Sequence, residues 1–428
     1  EPAEKNPDKF HSTGPFEIET GKSKKAKSKD YSKVFGDKLV SLAEKNKKIV
    51  AITASMKDGT GLKDFAEKFK DRFFDVGIAE GHAIGMAAGM ATNGIIPVVP
   101  IYASFYQRGY DQVIHDVCMQ NLHVVLCSDR AGIVGADGET HQGILDLSFF
   151  NIVPNLVIMA PKNFKELEDM LEFAIDYNGP IYIRYPRGGE ESTKIDKEEK
   201  IELGKAEKLS EGNDYTIVAI GKMVQRAYEI SSILKKEGIG VGVINARFLK
   251  PFDEENIISW IGNSKVITIE DNIIKGGLGS TVLEALKKYH KTNELKMLGY
   301  PDEFIKQGTV DEIEKDYNPE EKSVFEERKI DKLTEPDTVI VKKDCSVLRG
   351  DIDMNAHVHN INYLNYAYET LPDEVYENNI FNNVEIMYKR QIKLGDKIVC
   401  LYTKEENKHI VTIKSEDEKT LHAIVELY

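Results

Sequence analysis

At 428 residues, 41% hydrophobic and 30% charged, the chain has sequence enough for about two to four globular domains. Its net charge of −14 argues against nucleic acid or an anionic membrane surface as a partner. Cys118, Cys127, Cys345 and Cys400 form no CxxC, which reads as reduced thiols in a cytoplasmic protein, and no apolar run has the length of a membrane span.

Residues 1–30 read as an approach linker, with the basic run KSKKAKSK (22–29) as solvated chain rather than a binding patch. The chain opens on Glu1 rather than Met, and a preceding segment is expected. From Tyr31 helices and apolar strands alternate. SKVFGDKLVSLAEKN (32–46) predicts a helix, KIVAITAS (48–55) a strand and FFDV (73–76) a short buried strand. AEGHAIGMAAGMATNG (79–94) predicts a helix, IIPVVPIYASF (95–105) a strand and QRGYDQVIHDVCMQN (107–121) a helix. HVVLCSDR (123–130) is the next strand, followed by the Gly-rich loop AGIVGADGETHQG (131–143). LVIMAP (156–161), a helix over 163–177 and PIYIRYPRG (180–188) complete a parallel α/β domain over 31–190.

The polar stretch over 191–212 reads as a linker into a second parallel α/β domain over 213–317. Its strands are YTIVAIG, GIGVGVINAR, KVITIED and LKMLGY. GGLGS (276–280) opens a helix there and reads as helix–strand packing rather than a phosphate loop. Residues 318–342 are charged and linker-like. Over 343–428 a helix near NYLNYAYETL precedes the alternating strands VEIMYKRQIKL, DKIVCLYT, HIVTIKS and TLHAIVELY, an α+β domain with an antiparallel sheet.

The carboxyl ends of the first domain's strands carry the candidate chemistry, where open α/β sheets keep their ligands. Glu80 stands in a first helical turn, ahead of Ala83, Met86, Ala87 and Met90 at helical spacing. Tyr102, Phe105 and Arg108 follow one strand, Arg130, Asp137 and His141 another, and Arg187 a third. Arginine forks bind phosphate bidentately, an aromatic ring offers a stacking face, and a histidine moves protons near neutral pH. Each residue also has a plain structural reading. Glu80 can complement the helix dipole, Arg108 and Arg130 can be surface ion pairs, Phe105 core and His141 a turn cap. Convergence on one rim favours a site for a phosphorylated substrate and a flat heteroaromatic cofactor.

Residues 1–317 resemble the carboxyl-terminal half of the 1-deoxy-D-xylulose-5-phosphate synthases, thiamine-diphosphate enzymes of the transketolase family. The resemblance runs through DVGIAEGHA, IYASFYQRGYDQVIHDV, DRAGIVGADGETHQGILDLSFF, IRYPRG, FLKPFDEE, EDNIIKGGLGS and GYPDEFIKQGT. It implies a pyrimidine-binding domain at 31–190 and a transketolase C-terminal domain at 213–317. The implied reaction condenses pyruvate with glyceraldehyde 3-phosphate, with loss of CO2, for isoprenoid and thiamine biosynthesis. Glu80 is then the cofactor-activating acid and Phe105 the pyrimidine stacker. Arg130 and Arg187 hold the phosphate with Tyr102 and Arg108 nearby, and Asp137 and His141 assist binding and proton transfer. The family often has Gln after the glutamate, where this chain has Gly81. A homodimer is implied too.

The Gly-Asp-Gly motif with which this family holds Mg²⁺ and the pyrophosphate does not occur in the sequence. Those ligands are expected in an amino-terminal domain preceding residue 1 or on a separate partner chain. The chain as it stands is therefore expected to be half an active site.

RGDIDMNAHVHNINYLNYAYETLP (349–372) resembles the second hotdog domain of acyl-ACP thioesterases, over 318–428. That resemblance implies roles for Asp353, Asn355 and His357 in positioning water. It also calls for an acid where this chain has Gln391, and an amide cannot act as a base. Three readings follow: a synthase fragment, a thioester hydrolase, or a non-catalytic subunit completing a split thiamine enzyme.

Overall fold

The computed structural model describes residues 17–18, 20, 29–190, 195, 199–316, 333–336, 338–352, 357–378, 381, 383–405 and 408–428. It divides into two compact units, Glu1–Pro319 and Glu320–Tyr428.

In the first unit, helix α1 (Tyr31–Lys45) starts where the side chain of Asp30 accepts the amide of Lys33. Strands β1 (Ile49–Thr53), β2 (Phe73–Asp75), β3 (Ile96–Tyr102), β4 (Val125–Asp129), β5 (Val157–Met159) and β6 (Ile181–Arg184) pair in parallel, in the order β5-β6-β4-β3-β1-β2. Helix α2 (Glu80–Ala91) lies between β2 and β3 in the chain, and helix α3 (Phe164–Asp176) between β5 and β6. One sheet face packs Val98, Val125, Cys127, Ile181 and Ile183 against apolar residues of α1 and α3. The other packs Val99, Ile101, Leu126 and Tyr182 against Ala83, Ile84 and Ala87 of α2. Near-continuous apolar strands are what a sheet covered on both faces requires.

Two features depart from the sequence expectation. The helix expected over 107–121 is broken into a 3₁₀ segment at Ala103–Gly109, one α turn at Tyr110–Gln112 and π turns over Val113–Cys118. The wider turns, with Met119 N–H bonding to Ile114 C=O and Leu122 N–H to Val117 C=O, keep Val113, Val117 and Cys118 all buried. Likewise, the stretch read as linker over 191–212 contains a strand, β7 (Glu207–Ser210).

Strand β7 runs antiparallel beside β9 (Val241–Asn245), while β8 (Tyr215–Ala219), β9, β11 (Lys265–Ile273) and β12 (Leu295–Tyr300) are parallel. Between β9 and β11, β10 (Phe248–Lys250) leaves this sheet and pairs antiparallel with β5 of the first one. The second α/β domain thus completes the first domain's edge. Buried polar side chains reinforce the seam. Lys162 contacts Glu166 at 3.0 Å and Glu207 at 2.8 Å, and Arg247 donates to Glu166 at 2.8 Å.

The second unit is a five-stranded antiparallel sheet in the order β13 (Val341–Ser346), β15 (Lys397–Glu405), β16 (Lys408–Ser415), β17 (Leu421–Leu427), β14 (Val384–Tyr388). Helix α8 (Asn360–Thr370), so numbered after the second domain's α4 (Met223–Lys236), α5 (Glu254–Ile261), α6 (Leu278–Lys288) and α7 (Val310–Asp316), packs on it through Tyr363, Tyr366 and Ala367. The strand expected over 384–394 ends at Tyr388.

Candidate functional site

Sheet register assembles the rim. Tyr102, the last residue of β3, is the parallel partner of Asp129, the last of β4, so Arg130 emerges beside Tyr102. Thr53 of β1 likewise pairs with Asp75 of β2. The Asp75 carboxylate accepts the amides of Ser55 and Gly77, at 2.8 and 3.1 Å, and so shapes the turn from β2 into α2.

Glu80 is the first residue of α2 and is 4% exposed. Among the described residues none donates a hydrogen bond to its carboxylate. A helix-dipole role needs no such burial. The 103–109 turn lies over the start of α2: a Cβ placed on Gly109 would sit 3.5 Å from the Glu80 carbonyl and 2.2 Å from Ile84 Cδ1. At Gly81 a Cβ would lie 3.0 Å from Gln112 Oε1, so Gln112 takes up the space beside that glycine.

Six of the other candidates form a continuous chain of contacts. The Arg130 guanidinium stacks 3.8 Å from the centre of the Tyr102 ring. Tyr102 and Phe105 have ring centroids 5.7 Å apart, and Phe105 meets His141 edge-on at 5.1 Å. Asp137 joins the two arginines, with Arg130 Nη1 at 3.0 Å and Arg187 Nη1 at 2.5 Å. Burial pushes the Tyr102 phenol above its ordinary range, with Arg130 working against it, so Tyr102 stays a neutral donor. Thr140 Oγ1 lies 3.0 Å from His141 Nδ1, which leaves Nε2 as the atom for exchange with a ligand. Arg108 stands apart, exposed and without an ion-pair partner among the described residues.

Sequence reasoning missed the 55–61 loop as a wall of this site. A Cβ on Gly59 would lie 1.7 Å from the Tyr102 hydroxyl and 3.4 Å from Arg130 Nη2. No side chain fits there without moving Tyr102. The place where this loop lands follows only from the β3–β1–β2 order.

A thiamine ring needs a buried carboxylate and an aromatic face, and Glu80 and Phe105 fit that need. No group of three or more His, Cys, Asp or Glu residues that could hold a metal ion occurs among the described residues. In the second unit, Asp353 and Asn355 lie outside the described residues. His357 forms a bridge with Lys393, and Gln391 is exposed. No described helix is long and apolar enough to cross a membrane.

Comparison with known proteins matches residues 27–189 to the transketolase pyrimidine-binding domain and 204–324 to the transketolase C-terminal domain. Residues 334–426 match the acyl-ACP thioesterase C-terminal domain. A 1-deoxy-D-xylulose-5-phosphate synthase of Clostridium tetani is 50% identical over 326 residues, 76% of this chain and 53% of the relative. That of Natranaerobius thermophilus is 53% identical over 323 residues, 74% of this chain and 51% of the relative. The chain thus spans about half the length of these curated relatives. Among solved structures, a split-gene transketolase described as an inactive β4 tetramer is 32% identical with a TM-score of 0.62, over 68% of this chain and 94% of that one. A Campylobacter jejuni transketolase shares the fold at 18% identity and a TM-score of 0.57, over 69% of this chain and 45% of its own.

Proposed function

We propose, from the premise that this chain belongs to the transketolase family, that its rim is the pyrimidine half of a 1-deoxy-D-xylulose-5-phosphate synthase site. The observation that carries this reading is Glu80, 4% exposed at the start of α2 under the 103–109 turn, whose Phe105 belongs to an aromatic and arginine-lined rim. The synthases' pyrophosphate-binding and Mg²⁺-binding half lies outside this sequence.

When bound, thiamine diphosphate supplies the chemistry that takes CO2 from pyruvate and joins the remaining two carbons to an aldehyde. The chain's own residues prepare that event. Glu80 holds a proton at a ring nitrogen of the aminopyrimidine, and its burial strengthens the hydrogen bond. Phe105 offers its face to the same ring. Arg130 and Arg187 take the phosphate of glyceraldehyde 3-phosphate, displacing the carboxylate of Asp137 that now bridges them. Tyr102 keeps Arg130 in plane, and His141 moves a proton to or from the new hydroxyl. Arg108, exposed at the rim's edge, meets the phosphate from solvent.

A second copy of the chain suits the open side of α2. Ile78 is 82% exposed and nothing lies within 4 Å of a Cβ placed on Gly89. The C-terminal unit carries the exposed amide of Gln391 where a thioesterase needs an acid, and no hydrolytic step is assigned to it.

The test is reconstitution. The chain is mixed with a separately purified pyrophosphate-binding domain from a Clostridium synthase, thiamine diphosphate and Mg²⁺. Release of CO2 from pyruvate that depends on glyceraldehyde 3-phosphate and on both chains is the expected result. Failure of the mixed chains to bind thiamine diphosphate at all overturns the reading.

A further inference from the structure

Behind the rim lies a polar pair that the proposed reaction leaves unused. Arg130 is a non-glycine residue with a left-handed backbone, φ 64°. That conformation is strained for an L-residue and persists where its surroundings enforce it. On one side the amide of Ala131 donates to Tyr185 C=O at 3.0 Å. On the other stands Asp129, whose side chain is fully buried. Asp129 Oδ2 accepts the Ser32 hydroxyl at 2.7 Å, and Oδ1 has no partner. Burial pushes this carboxyl up to about 7, against the pull of Ser32 and Arg130.

Ser32 is the second residue of α1, yet that helix is capped by Asp30, which accepts the Lys33 amide at 2.8 Å. The Ser32 hydroxyl is therefore free for a residue 97 positions away. The same helix start reaches the other rim arginine's loop, because the Tyr31 amide donates to Gly188 C=O at 3.0 Å, next to Arg187. A buried carboxylate with a single donor destabilises a fold. This one adjoins a guanidinium whose own Nε is buried without a partner.

We infer that Asp129, held by Ser32, is a positioning residue that fixes Arg130 on the rim for the substrate phosphate, an inference resting on the proposed synthase site. The Ser32–Asp129 bond pins the end of β4. Arg130 then leaves the sheet at one angle, over the Tyr102 ring and against Asp137, with its ordering completed before ligand arrives.

The test titrates the full chain with D-glyceraldehyde 3-phosphate by calorimetry, with melting midpoints measured in parallel. Ser32→Ala is expected to weaken binding by about five- to tenfold at an unchanged midpoint, and Ser32→Thr, which keeps the hydroxyl, to stay within about twofold of the original. Asp129→Asn should weaken binding similarly and serves if Ser32→Ala does not fold. Unchanged affinity in Ser32→Ala or, where it fails to fold, in Asp129→Asn overturns the inference. So does a loss that follows the melting midpoint and is not rescued by threonine. Absence of binding by the unaltered chain, or equal binding by Arg130→Ala, instead overturns the phosphate rim and the inference with it.

Discussion

Two groups of buried or half-buried charges in the α/β unit look alike in sequence and differ in how they are satisfied. Arg184, 2% exposed, donates to Asp146 at 2.9 Å through Nε, pairs with Asp271 at 2.5 Å through Nη1, and reaches the carbonyls of Gly143 and Asp271. It ties β6 of the first sheet to β11 of the second. Around Arg130 the same residue types leave the Glu80 carboxylate without a donor, and Arg130 Nε and Asp129 Oδ1 without partners. The first group is knit by ion pairs across the two sheets, with Asp146 Oδ1 left without a partner, and it holds the domains together. The second is the more open group: Arg130 stands on the rim with Asp137 as its ion-pair partner, while Asp129 Oδ1 is sealed behind it.

Breaking the open group at its centre should have the largest effect. Glu80→Gln in the reconstituted enzyme is expected to lower turnover about 10²- to 10⁴-fold while leaving the melting midpoint unchanged. A variant within threefold of the original rate removes Glu80 from the chemistry. Breaking the Arg184 group should act on stability instead. Arg184→Met strands two buried carboxylates, Asp146 and Asp271, and should cost about 3–5 kcal/mol of unfolding free energy in the α/β unit. A denaturation midpoint equal to that of the unaltered chain would show the network to be dispensable.

A finer contrast concerns Glu270, next to the Arg184 group. Its carboxylate accepts the amides of Leu278 and Gly279, each at 2.8 Å, yet burial raises it to about 8. A carboxyl raised above its unfolded value of about 4.3 contributes stability that is complete below that pH and is lost as pH rises through 8. Glu270→Gln, which cannot ionise, should flatten the fall in melting midpoint between pH 5 and 8, an effect on the order of 1–2 kcal/mol. An unchanged slope would mean that Glu270 is ionised throughout and that its two amide donors outweigh its burial.

Much of this was readable from the residues. Apolar runs such as IVAIT and IPVVPIY specify buried parallel strands, and the loops after them hold Tyr102, Phe105, Arg130, Asp137, His141 and Arg187. Arg108 shared that signal and is left out of the contact chain, since a residue's place in a loop does not fix where its side chain goes. Phe248–Lys250 was not legible as a strand of the first sheet. Three residues carry no periodicity, and its partner β5 belongs to the other domain.

The sequence by itself determined the alternation of elements, the kinds of side chain offered at the strand ends, and the acid at the start of α2, because periodicity and residue chemistry are local properties. Tertiary structure alone decided which of the similar charges are satisfied. The 97-residue reach from Ser32 to Asp129, the closing of Gly59 on Tyr102 and the pairing of Arg184 with Asp271 all depend on strand order and register. Hydrogen bonds are made by distance in space, and separation along the chain does not encode it.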